Sequence, residues 1–381
     1  MKQLKTDWIK NADTQRVCAM LLDAGYECYF VGGCVRNALL QKPVNDIDIS
    51  TNARPERVIE LAKNADLKPI PTGIKHGTIT VISGHTPYEI TTYRRDVETD
   101  GRHAVVAFSN TIKEDALRRD FTMNALYADA HGVVVDPLNG LPDLISHRLR
   151  FIENADQRIK EDYLRIMRFF RFHAWYGDPN QGIDVDGLAA CAANLAGLET
   201  ISKERIGSEL KKLLAAPDPS PSIAAMQASG VLNATLPGAD AKYLAALVHL
   251  EAGIPTNPIR RLAVIGGEDQ QKQLRLSNDE TKTLHILRQE IGSLRSPHEL
   301  GYRFGTDMAQ DIILLRAALL ESPLDPAAFT HINTGANAIF PVKAADLMPK
   351  YQGKTLGDRL TELEDVWIAS TFTKTKDQLL G

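Results

Sequence analysis

Long apolar stretches are missing from this 381-residue chain. No run approaches the ~18 residues that a membrane span requires, so no spanning helix and no membrane partner are expected. Cysteine is scarce: Cys18, Cys28, Cys34 and Cys191 form neither a CxxC pair nor the density of a disulfide scaffold. They read as reduced thiols of a cytoplasmic protein. An excess of one charge is lacking too, since 44 Lys and Arg against 48 Asp and Glu leave a formal net charge of −4. That excludes a basic protein of the histone type but not a nucleic-acid binder, because local charge governs an approaching phosphate. The opening MKQLKTDWIKNADTQ has no apolar core of a secretory signal. Internal repeats and low-complexity segments are absent as well.

What is present is an ordinary globular composition, 44% apolar and 24% charged, in a chain long enough for two or three domains. Its character changes near residue 150. Before that point YECYFVGG, NDIDIST, GTITVIS, YEITTYR and GVVVDP read as strands. Helical patterns lie between them at Asp13 to Ala24, Val35 to Leu40 and Pro55 to Asn64, where Pro55 suits a first turn. After Leu149, Leu- and Ala-rich stretches with helical spacing take over. The expected architecture is an α/β head followed by an all-helical remainder, with PDPSPS after Ala216 and GIPTNP after Ala252 as linker candidates.

Three constellations in the chain carry chemistry. Asp46 and Asp48 lie two apart in NDIDIS, so a strand points both to one face, and Glu89 of YEITTYR can add a third oxygen there. Like charges held together need a cation or strong donors. Carboxylates without His or Cys nearby in sequence favour Mg²⁺, which takes oxygen ligands and usually phosphate; a solvated strand face is the plain alternative. The second constellation is VGGCVRNALL, which follows an apolar strand and opens a helix. Gly32 and Gly33 permit close backbone approach, and Arg36 sits one turn in, ready for the same phosphate. The segment matches neither GxGxxG nor GxxxxGK[ST], so Rossmann and Walker readings fail. The third is EDYLRIMRFFRF, read as one helix on which Asp162, Arg165, Arg168 and Arg171 form an i, i+3 row among apolar neighbours. Burying four unpaired charges would be prohibitive, so the row is expected to face a wet cleft or a charged ligand. Ion pairing within the helix accounts for Asp162 with Arg165 and leaves Arg168 and Arg171 without local partners. Asp162 beside Arg165 also offers an acceptor and a donor that match cytosine and adenine and mismatch guanine and uracil.

These residues, in this order, resemble the class II tRNA nucleotidyltransferases (CCA-adding enzymes) and bacterial poly(A) polymerases. GGCVRNALLQKPVNDIDIST resembles the family's first motif, with its Gly-Gly turn and metal-binding aspartates. RRDFTMNAL resembles the second, which would assign Arg119, Asp120 and Asn124 to the incoming ribose and triphosphate. VVVDPLNGLPDL is similar to a hinge, KEDYLRIMRFFRF to the EDxxR template that selects CTP and ATP, and LLAAPDPSPSIAAMQASGVL to an RNA-contacting segment. RRDVETDGRHAVVAF resembles the flexible loop of full CCA-adding and A-adding enzymes. Two positions depart from the pattern: Asn37 stands where Asp is usual, removing one support for Arg36, and Gln41 where Gly is usual.

The resemblance implies an α+β fold, with a polymerase-β-like nucleotidyltransferase head over 1–147. A helical neck over 148–216 and a helical, tRNA-binding body and tail over 217–381 would follow. It further implies CCA addition to the tRNA 3′ end from CTP and ATP, with two Mg²⁺ ions on Asp46, Asp48 and Glu89 and no obligate protein partner. The alternatives are a poly(A) polymerase or partial adder, and a catalytically silent tRNA-binding protein.

Overall fold

The computed structural model describes residues 2–100, 103–178 and 180–381. Two compact units divide it, Met1–Pro237 and Gly238–Gly381. Neither linker candidate lies between them. PDPSPS runs into a helix whose Ser222 is buried and bonded to His173 Nδ1 at 2.7 Å, and GIPTNP leads into a helix begun by Pro258 inside the second unit. Both are short turns between packed helices, a use of Pro and Gly that looks the same in sequence as a linker.

The first unit is built on a mixed sheet. Its strands are β1 (Tyr29–Val31), β2 (Ile47–Thr51), β3 (Lys68–Gly73), β4 (Thr78–Ser83), β5 (Thr86–Thr92), β8 (Tyr127–Asp129) and β9 (Val134–Val135), in the order β3-β4-β5-β2-β1-β8-β9. Among the described residues only β2 and β5 run parallel; their register sets Asp48 opposite Glu89. A separate hairpin pairs β6 (Arg94–Asp100) with β7 (His103–Phe108). This is the segment read as a loop; its tip residues Gly101 and Arg102 lie outside the described residues. Strand β3 carries Pro69 and Pro71, which argue against a strand, and it is tolerated at the sheet edge where proline removes no central ladder bond.

Helix α1 (Ala12–Leu22) packs on β4, and α2 (Gly33–Leu39) against β1 and β2. Helix α3 (Pro55–Asn64) begins at Pro55 as expected and buries Pro55, Val58, Leu61 and Ala62, one stripe at helical spacing. After α4 (Ile112–Leu117) and the last two strands the chain turns helical. The expected single helix through EDYLRIMRFFRF is two, α5 (Ala155–Glu161) and α6 (Leu164–Tyr176). Asp162 breaks it with extended backbone at φ −153°, and its carboxylate accepts from the Leu164 amide at 3.1 Å, so it opens the second helix rather than extending the first. A long-range aromatic core holds α6 in place: the Phe121 ring lies 4.9 Å from that of Phe151, 6.3 Å from Phe169 and 5.2 Å from Phe172, and Phe151 stacks on Phe169 at 5.3 Å. Helix α7 (Lys203–Leu214) packs along α6.

The second unit is wholly helical among its described residues, apart from an isolated bridge between Ala239 and Gly266. It includes α8 (Pro258–Ile265) and α9 (Pro297–Leu319), which is interrupted at Gly305 by φ +78°. Arg260 and Arg261 are buried against Glu251, and Arg260 also against Asp311, whose own carboxylate accepts from Asn257. Trp367 centres a further apolar cluster with Val342, Leu347, Leu363 and Leu379. No helix among the described residues is long and apolar enough to cross a membrane.

Candidate active site

The parallel pairing of β2 with β5 puts Asp48 and Glu89 side by side on one face, while Ile47, Ile49 and Ile90 fill the buried side. Asp46 precedes the first strand residue and is exposed. Burial raises the Asp48 carboxyl from 3.8 to about 6, and the charges of Glu89 and Asp46 add to this, against the pull of Arg119. The face therefore holds more negative charge than its surroundings neutralise, as an open magnesium site does. Among the described residues no three His, Cys, Asp or Glu side chains converge into a preformed cage. Asp46 and Glu89 are exposed and Asp48 is half-buried.

Glycine is required at the turn behind this face. Gly32 has φ +69°, and a Cβ there would lie 3.3 Å from Arg119 Nη1. Arg119 is thus brought against the turn and next to Asp48. It is held by Asp115 Oδ2 at 3.2 Å and the Tyr127 hydroxyl at 3.2 Å. Asp115 is completely buried; burial opposes its charge, yet Arg118 and Arg119 hold its carboxyl far below the usual range. None of Asp115, Tyr127 and Ser50, which also approaches Asp115, was among the expected site residues. Asp115 had a readable signal, because EDALRRD sets it three and four residues before two arginines on a helix.

A second network starts at Arg36. Its guanidinium donates to Asn124 Oδ1 at 2.5 Å, to Asn37 Oδ1 at 3.0 and 3.2 Å, and to the Tyr176 hydroxyl at 2.8 Å. Asn37 therefore still supports Arg36, contrary to expectation: its Oδ1 accepts from the guanidinium twice, without a carboxylate's charge. Asn124 Nδ2 donates onward to Asp120 Oδ1 at 3.0 Å, and Asp120 Oδ2 receives Arg168 Nε at 2.7 Å. Burial pushes the Asp120 carboxyl up, but Arg168, the Asn124 amide and Arg165 bring it down to about 2. Arg36, Asn124, Asp120 and Arg168 thus form one connected set.

The charged row on α6 is not the wet ridge expected. Arg165, only 11% exposed, pairs with Glu161 and donates to the carbonyls of Arg158 and Arg118. Arg171 pairs with Glu209 of α7, and Asp162 with Arg205 of the same helix at 2.8 Å. Desolvation demands partners for these charges, and carboxylates distant in sequence supply them as well as solvent or ligand can. Asp162 and Arg168, each 31% exposed, remain reachable.

Comparison with known proteins gives this arrangement a family. A family model described as "Poly A polymerase head domain" matches residues 28–150, and one described as "Probable RNA and SrmB- binding site of polymerase A" matches 183–243. The CCA-adding enzyme of Streptococcus pyogenes serotype M4 is 36% identical over 323 residues, 79% of this chain and 77% of that protein. That of Geobacillus thermodenitrificans is 41% identical over 216 residues, 56% of this chain and about half of that protein (52%). Among solved structures, the Bacillus stearothermophilus CCA-adding enzyme in complex with CTP superposes with a TM-score of 0.72 at 26% identity, covering 94% of each chain. The Thermotoga maritima CCA-adding enzyme complexed with tRNA shares the fold, with a TM-score of 0.73 at 18% identity over 100% of this chain and 97% of that one. With a paired carboxylate face, a glycine turn backed by arginine and relatives of this kind over most of its length, the chain belongs to the CCA-adding enzyme and poly(A) polymerase family of nucleotidyltransferases.

Proposed function

We propose that this chain adds C, C and A to the 3′ end of tRNA without a nucleic-acid template, consuming CTP and ATP and releasing pyrophosphate. The observation that carries the reading is the convergence of the Asp48–Glu89 face with Arg119 and the Gly32 turn, joined through Asn124 and Asp120 to the arginines of α6. Members of this family use a divalent metal. Asp46, Asp48 and Glu89 would hold two Mg²⁺ ions. The chemistry these supply is activation of the tRNA 3′-hydroxyl and neutralisation of charge in an in-line displacement at the α-phosphorus. Arg36 and Arg119 take the β- and γ-phosphates, with the Gly32–Gly33 turn letting backbone approach them. Asp120 and Asn124 orient these groups toward the ribose and triphosphate.

Asp162 accepts from the exocyclic amino group of cytosine or adenine, and Arg165 donates to the ring nitrogen beside it. Each exchanges a partner within the chain, Arg205 and Glu161, for the base. Arg168 and Arg171 set the position of this helix against Asp120 and Glu209. We assign 1–147 to the head, 148–216 to the neck, and 217–381 to a body and tail that grip tRNA. The match of residues 183–243 to an RNA-binding segment supports placing RNA on the helical part. The setting is the cytoplasm, in keeping with four buried free thiols.

Incubation with tRNA transcripts ending before CCA, after C and after CC, with labelled CTP or ATP, tests the reading. Ordered addition of two C and one A is expected. Long A tracts from ATP alone would make the chain a poly(A) polymerase, A addition only to ends in CC a partial adder, and no incorporation a silent binder. In Asp162→Ala and Arg165→Ala, relative use of UTP and GTP should rise by very roughly ten- to a hundredfold. A destabilised protein with unchanged selectivity would defeat the base-selecting role.

A further inference from the structure

Among the described residues, every side chain that directly receives a hydrogen bond from Arg36 is neutral: Asn37, Asn124 and Tyr176. The nearest carboxylate in the network, Asp120, stands one residue removed behind Asn124. Tyr176 closes the last turn of α6, the helix whose first turns hold Arg165 and Arg168. Its ring lies 4.1 Å from the Arg36 guanidinium carbon, and the Phe172 ring, one turn earlier, 5.1 Å from it. Its hydroxyl accepts from Arg36 at 2.8 Å and donates to Asn37 Oδ1 at 3.3 Å, so both of its hydrogen-bonding senses are used. The amide of Asn37 is oriented for this because its Nδ2 donates to the Pro43 carbonyl at 2.9 Å. Lys42 completes the cluster, 4.8 Å from the Tyr176 ring centroid with its ammonium on the Trp175 carbonyl.

We infer that Tyr176 is a positioning residue for Arg36, tying the phosphate-binding guanidinium of the head to the helix that carries nucleotide selection. The inference rests on the proposed placement of the triphosphate against Arg36. An aromatic face and a hydroxyl fix a guanidinium in direction without cancelling its charge. A carboxylate in the same place would fix it and neutralise it. Burial already disfavours the charge of Arg36 and lowers its pKa, so a triphosphate entering here meets a cation short of anionic partners. Because the tether comes from α6, a displacement of that helix by a poorly fitting base also displaces Arg36. Base recognition and triphosphate alignment are thereby coupled through one helix.

The test separates phosphate binding from general stability. KM and kcat for CTP and ATP would be measured with tRNA ending before CCA and after CC. The inhibition constant of CMP, which lacks the β- and γ-phosphates, would be measured alongside. Tyr176→Phe keeps the ring and loses the hydroxyl; it should raise KM for both nucleotides by about fivefold. Tyr176→Leu loses both contacts and should raise KM by about thirtyfold. CMP inhibition should stay within about twofold in both variants, since the base and α-phosphate contacts are untouched. Arg36→Gln should show the same pattern, and Arg36→Gln/Tyr176→Leu should be no worse than Arg36→Gln alone. Equal weakening of CTP and CMP in Tyr176→Phe, or no change in KM, overturns the assignment. If Arg36→Gln itself spares KM, the placement of the triphosphate is wrong; if only the tyrosine variants spare it, the tether alone is wrong.

Discussion

Replacing Asp120 with Asn keeps the outline of a buried side chain and removes its charge. The carboxylate accepts three hydrogen bonds, from the Phe121 amide at 2.9 Å, from Asn124 at 3.0 Å and from Arg168 Nε at 2.7 Å, and Arg168 Nη2 adds an ion-pair contact at 2.5 Å. Asparagine has one acceptor oxygen, so its amide group must confront donors on one side or the other. A carboxyl held at about 2 against an ordinary 3.8 contributes about 2.5 kcal/mol to folding at neutral pH. Breaking a fully buried pair costs about 3–5 kcal/mol, but the Arg168 side chain is 31% exposed and water offsets part of its loss. The expected destabilisation is about 2–3 kcal/mol, or a fall in Tm of about 5–10 °C for a unit of this size. The folded-state pKa lies below the unfolded one, so the contribution is fully present above about pH 5 and is lost as pH falls through 3.8 toward 2. Urea unfolding of wild type and Asp120→Asn at pH 7, 5, 4 and 3 should therefore show a gap that is level from pH 7 to 5 and shrinks below. A gap under about 1 kcal/mol at pH 7, or one that persists unchanged to pH 3, would refute the charge argument.

Asp48→Ala should lower kcat more than about a hundredfold and leave tRNA affinity within about twofold, because phosphate contacts elsewhere supply binding; near wild-type turnover in Mg²⁺ would remove Asp48 from the metal site. Gly32→Ala forces a Cβ into a backbone at φ +69° and to 3.3 Å from Arg119 Nη1. It should cost about 1–2 kcal/mol in unfolding and raise KM for CTP; an unchanged KM would mean that the turn does not govern Arg119. In the second unit, Arg260→Ala leaves Glu251 and Asp311 short of a buried partner and should cost about 3–5 kcal/mol. Limited proteolysis should then cut Gly238–Gly381 much faster than in wild type, and equal rates would count against the cluster as a stabilising element.

Where local rules dominate, the chain could be read from its residues. Strands β2 and β5 announce themselves by alternation, and with them the shared face of Asp48 and Glu89, because register in a strand has a period of two. Pro55 marks the start of its helix for an equally local reason. Strand β3 was hidden because its prolines are acceptable only at an edge, and edge position is a property of the whole sheet. The break at Asp162 was hidden because apolar spacing continues unbroken through it, while the Leu164 amide and Arg205 that hold it can be seen only in three dimensions. The arginine row shows the limit most clearly. Its spacing establishes that Arg168 and Arg171 need counter-charges, yet Asp120 lies 48 residues before one and Glu209 38 residues after the other. Solvation, ligand and distant carboxylate satisfy the same desolvation requirement equally well, so sequence spacing cannot choose among them. Only the partner's position decides, and here it links the helix of the row to the head through Asp120 and to α7 through Glu209. An arginine row that is paired in this way fixes where its helix sits and leaves little charge uncompensated.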